Sequence, residues 1–416
     1  MNMKSQALDL QNYLSQYTKM WKDEIMNEYP ESITHYPCTW VDLLDSLTEA
    51  ELYEIDCKRP VEKIKNSSFE HFLKQLSELS KLPVIAEVPE IPLEDWAFQG
   101  IKKKKRHEIQ KIVPVLKNIK ELSNFEYVVD IGGGVGHLSR VLSHYHSIPS
   151  ISLDRDPNFQ KIGFERLSKY RKIEGARDVS FVNITFGKVA DEEILKTIFK
   201  PQAFSLGLHT CGVLAVTVIQ KSIDYKTTGL LSFGCCYHQL KPDIDFPLSN
   251  FYKENQYLKL NLYALTLATR SHAEMSFSDY QTKERVKSYR YALHLFLIQY
   301  FDNKSFTGVG ECHIRTYWGP FATYIKSKLA ELNLTHSFTD EDFNQFYAEL
   351  KIQKELRKMW LCNIIRWQLG RALEVYLLLD RCLYLEEQGF RVQIEQYFQE
   401  TLSPRNIGIL AISKNK

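Results

Sequence analysis

The chain has 416 residues, 44% of them hydrophobic, and a formal net charge of +2. That length suits about two domains at ~100–200 residues each, and 23 Tyr with 23 Phe supply an ample core. No apolar run approaches the ~18 residues of a membrane span, and eight Cys scattered singly apart from one adjacent pair exclude a disulfide framework.

These features lead us to expect a chain without a signal peptide, in a reducing cytosol or nucleus, with no membrane partner. Charge is unevenly spread. Residues 1–100 carry 9 Lys and Arg against 18 Asp and Glu, and the remainder carries 44 against 33. A basic body favours a polyanionic substrate, although such asymmetry is often only a solvated surface.

From the N-terminus, Leu10, Tyr13, Leu14, Tyr17 and Trp21 lie on one helical stripe. Ser67-Ser68-Phe69-Glu70 reads as a capping box before Phe69, Phe72, Leu73, Leu76 and Leu79, and Pro83 stops the segment. Residues 1–98 are expected to be a helical layer without chemistry of its own, packed on the core or presented to a protein partner. Five cations, Lys102 to Arg106, then lead a helix through His107 and Glu108. Such a run is a solvated face or an import patch as often as a phosphate contact, but a helix entering the first strand can lie over a ligand. Lys105 and Arg106 are thus expected on an anionic substrate, and His107 on the cofactor.

Val128-Val129-Asp130-Ile131 ends in a glycine cluster, Gly132-Gly133-Gly134-Val135-Gly136, and Leu138 restarts with helical spacing. This predicts strand, tight turn and helix, the first crossover of a doubly wound sheet. The dinucleotide fingerprint would need a glycine where His137 stands. The spacing instead resembles motif I of class I S-adenosylmethionine-dependent methyltransferases, placing Asp130, Gly132, Gly134, Gly136 and His137 at the cofactor. Ser150–Asp154 predicts a second strand, whose closing Asp154 is suited to both ribose hydroxyls. Val179–Asn183 predicts a third, with Asn183 placed to meet adenine or merely to close a turn.

A fourth strand over 203–208 delivers His209-Thr210-Cys211, and a fifth over 229–233 delivers Gly234-Cys235-Cys236-Tyr237-His238. His209 and His238 are expected to orient and deprotonate an acceptor, with Cys235 and Cys236 shaping the pocket. Neither cluster has a zinc-ligand spacing, so no metal is expected. Residues 241–366 read as a helical cap inserted before the sheet resumes, with aromatics that are more often core than base-stacking platforms. A final helix and a hairpin close the chain over 367–416, and its turn carries Arg405 and Asn406, expected to face substrate.

Several pieces together resemble the methyltransferase-like protein 25 family, including its ribosomal RNA adenine dimethylase domain-containing type. They are Lys104 to Glu108, Asp130 to Arg140, Leu208 to Gly212, Gly234 to His238 and Ser403 to Asn406. The resemblance implies a Rossmann-like α/β fold of seven strands, with an S-adenosylmethionine-binding core over 99–240. Adenine dimethylases carry Asn-(Leu/Pro)-Pro-(Tyr/Phe) after the fourth strand, and Leu208-His209-Thr210-Cys211 stands here, which argues against that activity. The expected function is methyl transfer, with RNA as acceptor and partner. The alternatives are a protein or small-molecule methyltransferase, or a cofactor-binding scaffold without turnover.

Overall fold

A computed structural model describes residues 2–86, 93–170, 172–186, 192–270, 275–303 and 305–414. Seven strands form one sheet: β1 Tyr127–Ile131, β2 Ser150–Asp154, β3 Val179–Asn183, β4 Ala203–Cys211, β5 Gly229–Cys235, β6 Phe390–Gln396 and β7 Ile407–Ser413. Their order is β3-β2-β1-β4-β5-β7-β6, parallel throughout except that β7 runs antiparallel to both neighbours. The class I methyltransferase sheet expected from the sequence has this order.

Alternation along β1 shows why the sheet is covered on both faces. Val128 packs with Ile109, Ile112, Leu116, Phe204 and Leu231 on one side. Its neighbour Val129 packs with Leu153, Leu195, Ile198 and Val218 on the other. Successive side chains of a strand point to opposite faces, so a run of buried β-branched residues needs a helical layer on each. Burying each such side chain contributes roughly 1.5–3 kcal/mol. The helix Lys103–Ser123 supplies one layer, and its last turn is stopped by Asn124 in a left-handed conformation (φ 51°).

Strand order reverses at β1. The chain proceeds outward to β2 and β3, then returns to place β4 on the other side of β1. The helices leaving β1 and β4 therefore diverge, and a crevice opens at the carboxyl ends of these strands. At the far edge β6 and β7 pair from Phe390 opposite Ser413 to Gln396 opposite Ile407. The sequence pattern places Tyr397 and Phe398 in β6, but the strand ends at Gln396. Both rings turn into the core against Phe233, at 5.1 and 4.8 Å between centroids.

The chain divides into two units, residues 1–13, 79–273 and 371–416 in the first, and 14–78 with 274–370 in the second. This replaces the expected succession of an N-terminal layer (1–98), a core (99–240), a cap (241–366) and a closing segment (367–416). The cause is shared apolar faces. The helices Cys38–Asp45 and Glu49–Asp56 bury Leu44, Leu52 and Ile55 and pack on Leu350–Gln368, a helix buried from Met359 to Gln368. Capping at 67 is as expected: Ser67 Oγ accepts from Glu70 N at 3.0 Å, and Glu70 accepts from Asn66 N. Among the described residues no helix is long and apolar enough to cross a membrane.

Acids of the second unit are largely used within it. Arg366 bonds Glu24 at 3.0 Å, Arg357 reaches Asp45 at 3.0 Å and also Glu49, and Lys283 pairs with buried Asp56. The acidic surplus of the N-terminal hundred residues is thus partly used in ion pairs within this unit.

Candidate cofactor cleft and histidine–carboxylate pair

The turn after β1 is built from glycines with different tasks. Gly132 and Gly134 sit at φ 73° and 59°, and a Cβ on either would meet nothing within 4 Å, so they serve backbone conformation and leave open space. At Gly133 a Cβ would come within 2.4 Å of Ser152 Oγ and 3.0 Å of Asp130 Oδ2. Gly132 N and Gly133 N both donate to Leu153 O, at 2.8 and 3.0 Å, which ties the turn to the end of β2. Asp130 itself is buried and accepts from Ser139 Oγ at 2.8 Å; burial raises its pKa. It holds the turn to the helix His137–His146.

Asp154 closes β2 as expected. Its Oδ2 accepts from Gly134 N and its Oδ1 from Asp156 N, both at 2.9 Å. A carboxylate oxygen has two lone pairs, so each retains one for a further donor such as a hydroxyl. Gln160 Nε2 donates to Gly134 O at 2.8 Å, bracing the turn from the following helix.

Over this turn lies a cleft of about 310 Å³, lined by Lys105, Asp130, Gly132 to Val135, His137, Leu138, Phe159 and Leu208. Phe159, 47% exposed, offers a ring face at its rim, a feature without a motif in the sequence. His137 stays neutral: burial, Arg140, Arg166 and Lys105 bring its pKa to about 4. Asn183 donates to Asp154 O at 2.9 Å, so its amide brackets β2 to β3.

Beside the cleft, His209 breaks the β4–β5 pairing. The register shifts between Leu208 and Thr210, and His209 takes a left-handed conformation, φ 63°. A non-glycine residue there costs of order 1–3 kcal/mol, and bulges of this kind re-aim side chains next to active sites. The imidazole Nε2 meets Glu108 Oε1 at 2.7 Å, which also accepts from Ser403 Oγ at 2.7 Å. Lys105 Nζ lies 3.4 Å from Glu108 Oε2, and Lys104 Nζ 3.7 Å from Oε1. Burial alone would disfavour the Glu108 carboxylate, but the His209 bond and charge, the charge of Lys105 and the Ser403 hydroxyl hold its pKa at about 2. The basic run thus brings Glu108 to the strand edge, while His107 beside it turns to Gln399.

Other expected residues lie elsewhere. His107 Nε2 accepts from Gln399 N at 3.2 Å with its ring against Phe398, turned from the cleft toward the end of β6. Arg106 bonds Asp95 at 2.7 Å and stacks on Phe98, leaving Lys105 as the residue of the pair at the cleft. His238 is exposed in the short turn Tyr237–Gln239; its backbone N–H donates to Thr269 Oγ1 at 3.1 Å, and no bond joins it to the Glu108 pair. Asn406 is buried, accepting from Arg371 at 2.9 Å and donating to Gln396 Oε1 at 3.1 Å, so its amide is used in securing the hairpin. Arg405 is half-buried, with its charge acting on Cys211 and Tyr237. Cys235 and Cys236 do not line the cleft and meet Cys211 instead, at 3.1 and 3.3 Å from its Sγ. Glu108, Ser403 and Cys211 join them as residues whose placement had no separate spacing signal.

The seven-strand order and the glycine-turn cleft define a class I methyltransferase domain, and residues 104–243 match the family model described as a methyltransferase domain. Mouse "Probable methyltransferase-like protein 25" is 23% identical over 282 residues, 62% of this chain and 45% of the relative. The human protein of that description is 24% identical over 231 residues, 51% and 37% of the two chains. The chain is similar to these two curated relatives and spans less than half the length of each. A solved structure of a mutant MtNAS in complex with S-adenosylmethionine aligns at 14% identity over 47% of this chain and 79% of that one, with a TM-score of 0.23.

Proposed function

We propose that this chain is an S-adenosylmethionine-dependent methyltransferase that deprotonates its acceptor at His209. The observation carrying this is the bond between buried Glu108 and half-buried His209, linked through Lys105 to the cleft over the glycine turn. The residues fit the cofactor: open space above Gly132 and Gly134, spare lone pairs on Asp154 and the exposed ring of Phe159 suit an amino-acid nucleoside. When bound, the cofactor supplies a methyl group on a sulfonium, an electrophile that needs alignment more than activation.

The chain's own residues do the rest. Glu108, ionised at neutral pH, accepts the Nε2–H of His209 and thereby leaves Nδ1 with the lone pair that takes a proton. Ser403 and the two lysines keep Glu108 from swinging away. An acceptor with a dissociable O–H or N–H is the chemistry this pair serves.

RNA is the acceptor class we put first, supported by the basic body and by exposed Lys102 and Lys103 at the start of the cleft-side helix. The ion pairs of Lys104, Lys105 and Arg106 reduce the number of free phosphate contacts, so salt dependence should be shallow. The test is methyl label from the cofactor, offered to cell extract and then split by RNase and protease. RNase-sensitive label supports RNA; protease-sensitive or dialysable label moves the acceptor to protein or small molecule. Calorimetry with Asp154→Ala checks the cleft separately: cofactor affinity should fall about 30–150-fold, the ~2–3 kcal/mol of charge-assisted hydrogen bonds. Unchanged affinity would remove the cofactor from this cleft.

A further inference from the structure

We propose that Cys211, Cys235 and Cys236 form a zinc site with three thiolate ligands and an open fourth position. The three Sγ atoms lie within 4.8 Å of one another, and none is in a disulfide. Spacing in the sequence concealed this, because the ligands come from the ends of two neighbouring strands, with Cys211 opposite Cys235 in the β4–β5 register.

The local backbone is shaped to bring them together. Gly212 N donates to Cys235 O at 2.9 Å, at φ 53°, and a Cβ on Gly212 would lie 2.6 Å from Gln239 Cβ. Cys236 takes a left-handed conformation, φ 51°, which turns its side chain back toward Cys211. A left-handed Cys236 and a compulsory glycine beside three sulfurs are costly if the outcome is only three thiols in contact.

Chemistry selects the ion. Zinc–sulfur bonds of ~2.3 Å at tetrahedral angles set sulfurs about 3.8 Å apart, a small side-chain rotation from the 3.1 and 3.3 Å found here. Binding Zn²⁺ displaces three S–H protons to solvent and leaves a complex of net charge −1. Arg405 meets that charge: its guanidinium acts on Cys211, and its buried Nη1 has no hydrogen-bond partner. Three protein ligands with a fourth position open is the pattern of catalytic zinc, whereas structural sites are closed by four. The Cys211 S–H contacts His209 O at 3.6 Å, so the site adjoins the proposed base. The inference does not depend on cofactor binding.

The test uses the full chain, purified under reducing conditions and stripped with chelator. Titration with Co²⁺ should produce sulfur-to-cobalt charge-transfer absorption saturating near about one ion per chain, displaced by Zn²⁺. Cys236→Ser, at the half-exposed ligand, should lower zinc affinity by at least about tenfold, while Cys362→Ser, a buried thiol of the other unit, should leave it unchanged. Absence of charge-transfer absorption from the wild-type chain overturns the site, whether thiol titration then finds three free thiols or a disulfide. Equal zinc affinity of the Cys236→Ser and wild-type chains overturns it as well.

Discussion

Glu108→Gln isolates the charge at the centre of the proposed site. The carboxylate has a pKa of about 2 in the folded chain against 4.5 ordinarily, despite burial that opposes ionisation. A difference of about 2.5 units corresponds to about 3 kcal/mol by which native contacts favour the ionised form. Since the folded value lies below the unfolded one, this stabilisation is complete above pH 4.5 and fades as pH falls toward 2. Glutamine has the shape of the protonated acid, so the variant should lose about 3 kcal/mol at pH 7 and only about 1 kcal/mol at pH 3. Urea unfolding at the two pH values measures the gap. Methyl transfer should fall at least about 100-fold, because His209 loses the anionic acceptor that holds its tautomer and stabilises the imidazolium it becomes, while cofactor affinity measured by calorimetry stays the same. A stability gap independent of pH would refute the charged pairing. Unimpaired transfer with a normal pH profile would refute the role given to His209.

Two further outcomes follow from buried charge and buried imidazole. In the second unit, Lys283→Met leaves Asp56, 2% exposed, without its ion pair and removes a cation 3.8 Å over the Trp367 ring. The loss should be about 3–5 kcal/mol in denaturant unfolding, recovered in good part by adding Asp56→Asn, and an additive double variant would disprove the coupling. In the first unit, His144 is buried with neither ring nitrogen bonded, and burial with Lys172 and Arg140 lowers its pKa to about 4. Its folded value lies below the ordinary 6.5, so the neutral form's contribution is whole above pH 6.5 and diminishes as pH falls toward 4. His144→Leu should therefore spare about 2 kcal/mol of the stability lost between pH 7 and pH 5; identical acid profiles for the two chains would count against it.

Strand positions, the glycine turn and Asp154 were legible in the chain because each is set locally. A buried parallel strand needs a β-branched run, a turn at positive φ needs glycine, and a carboxylate closing the next strand follows at a nearly fixed distance. Helical stripes were equally plain, but which helices share a core was not: 38–56 joins 350–368 through apolar faces that carry no address.

The chemistry beside the cleft needed the tertiary structure. One residue of helical phase separates His107, turned to Gln399, from Glu108, buried on His209. A single bulge within β4 aims His209 at Glu108, while His238, three residues beyond the end of β5, ends exposed against Thr269. The three thiols meet because β4 and β5 lie side by side, a distance across the sheet that no spacing along the chain encodes. Local backbone preference is written residue by residue, whereas convergence of side chains depends on register and packing between segments hundreds of residues apart, as with Glu108 and Ser403.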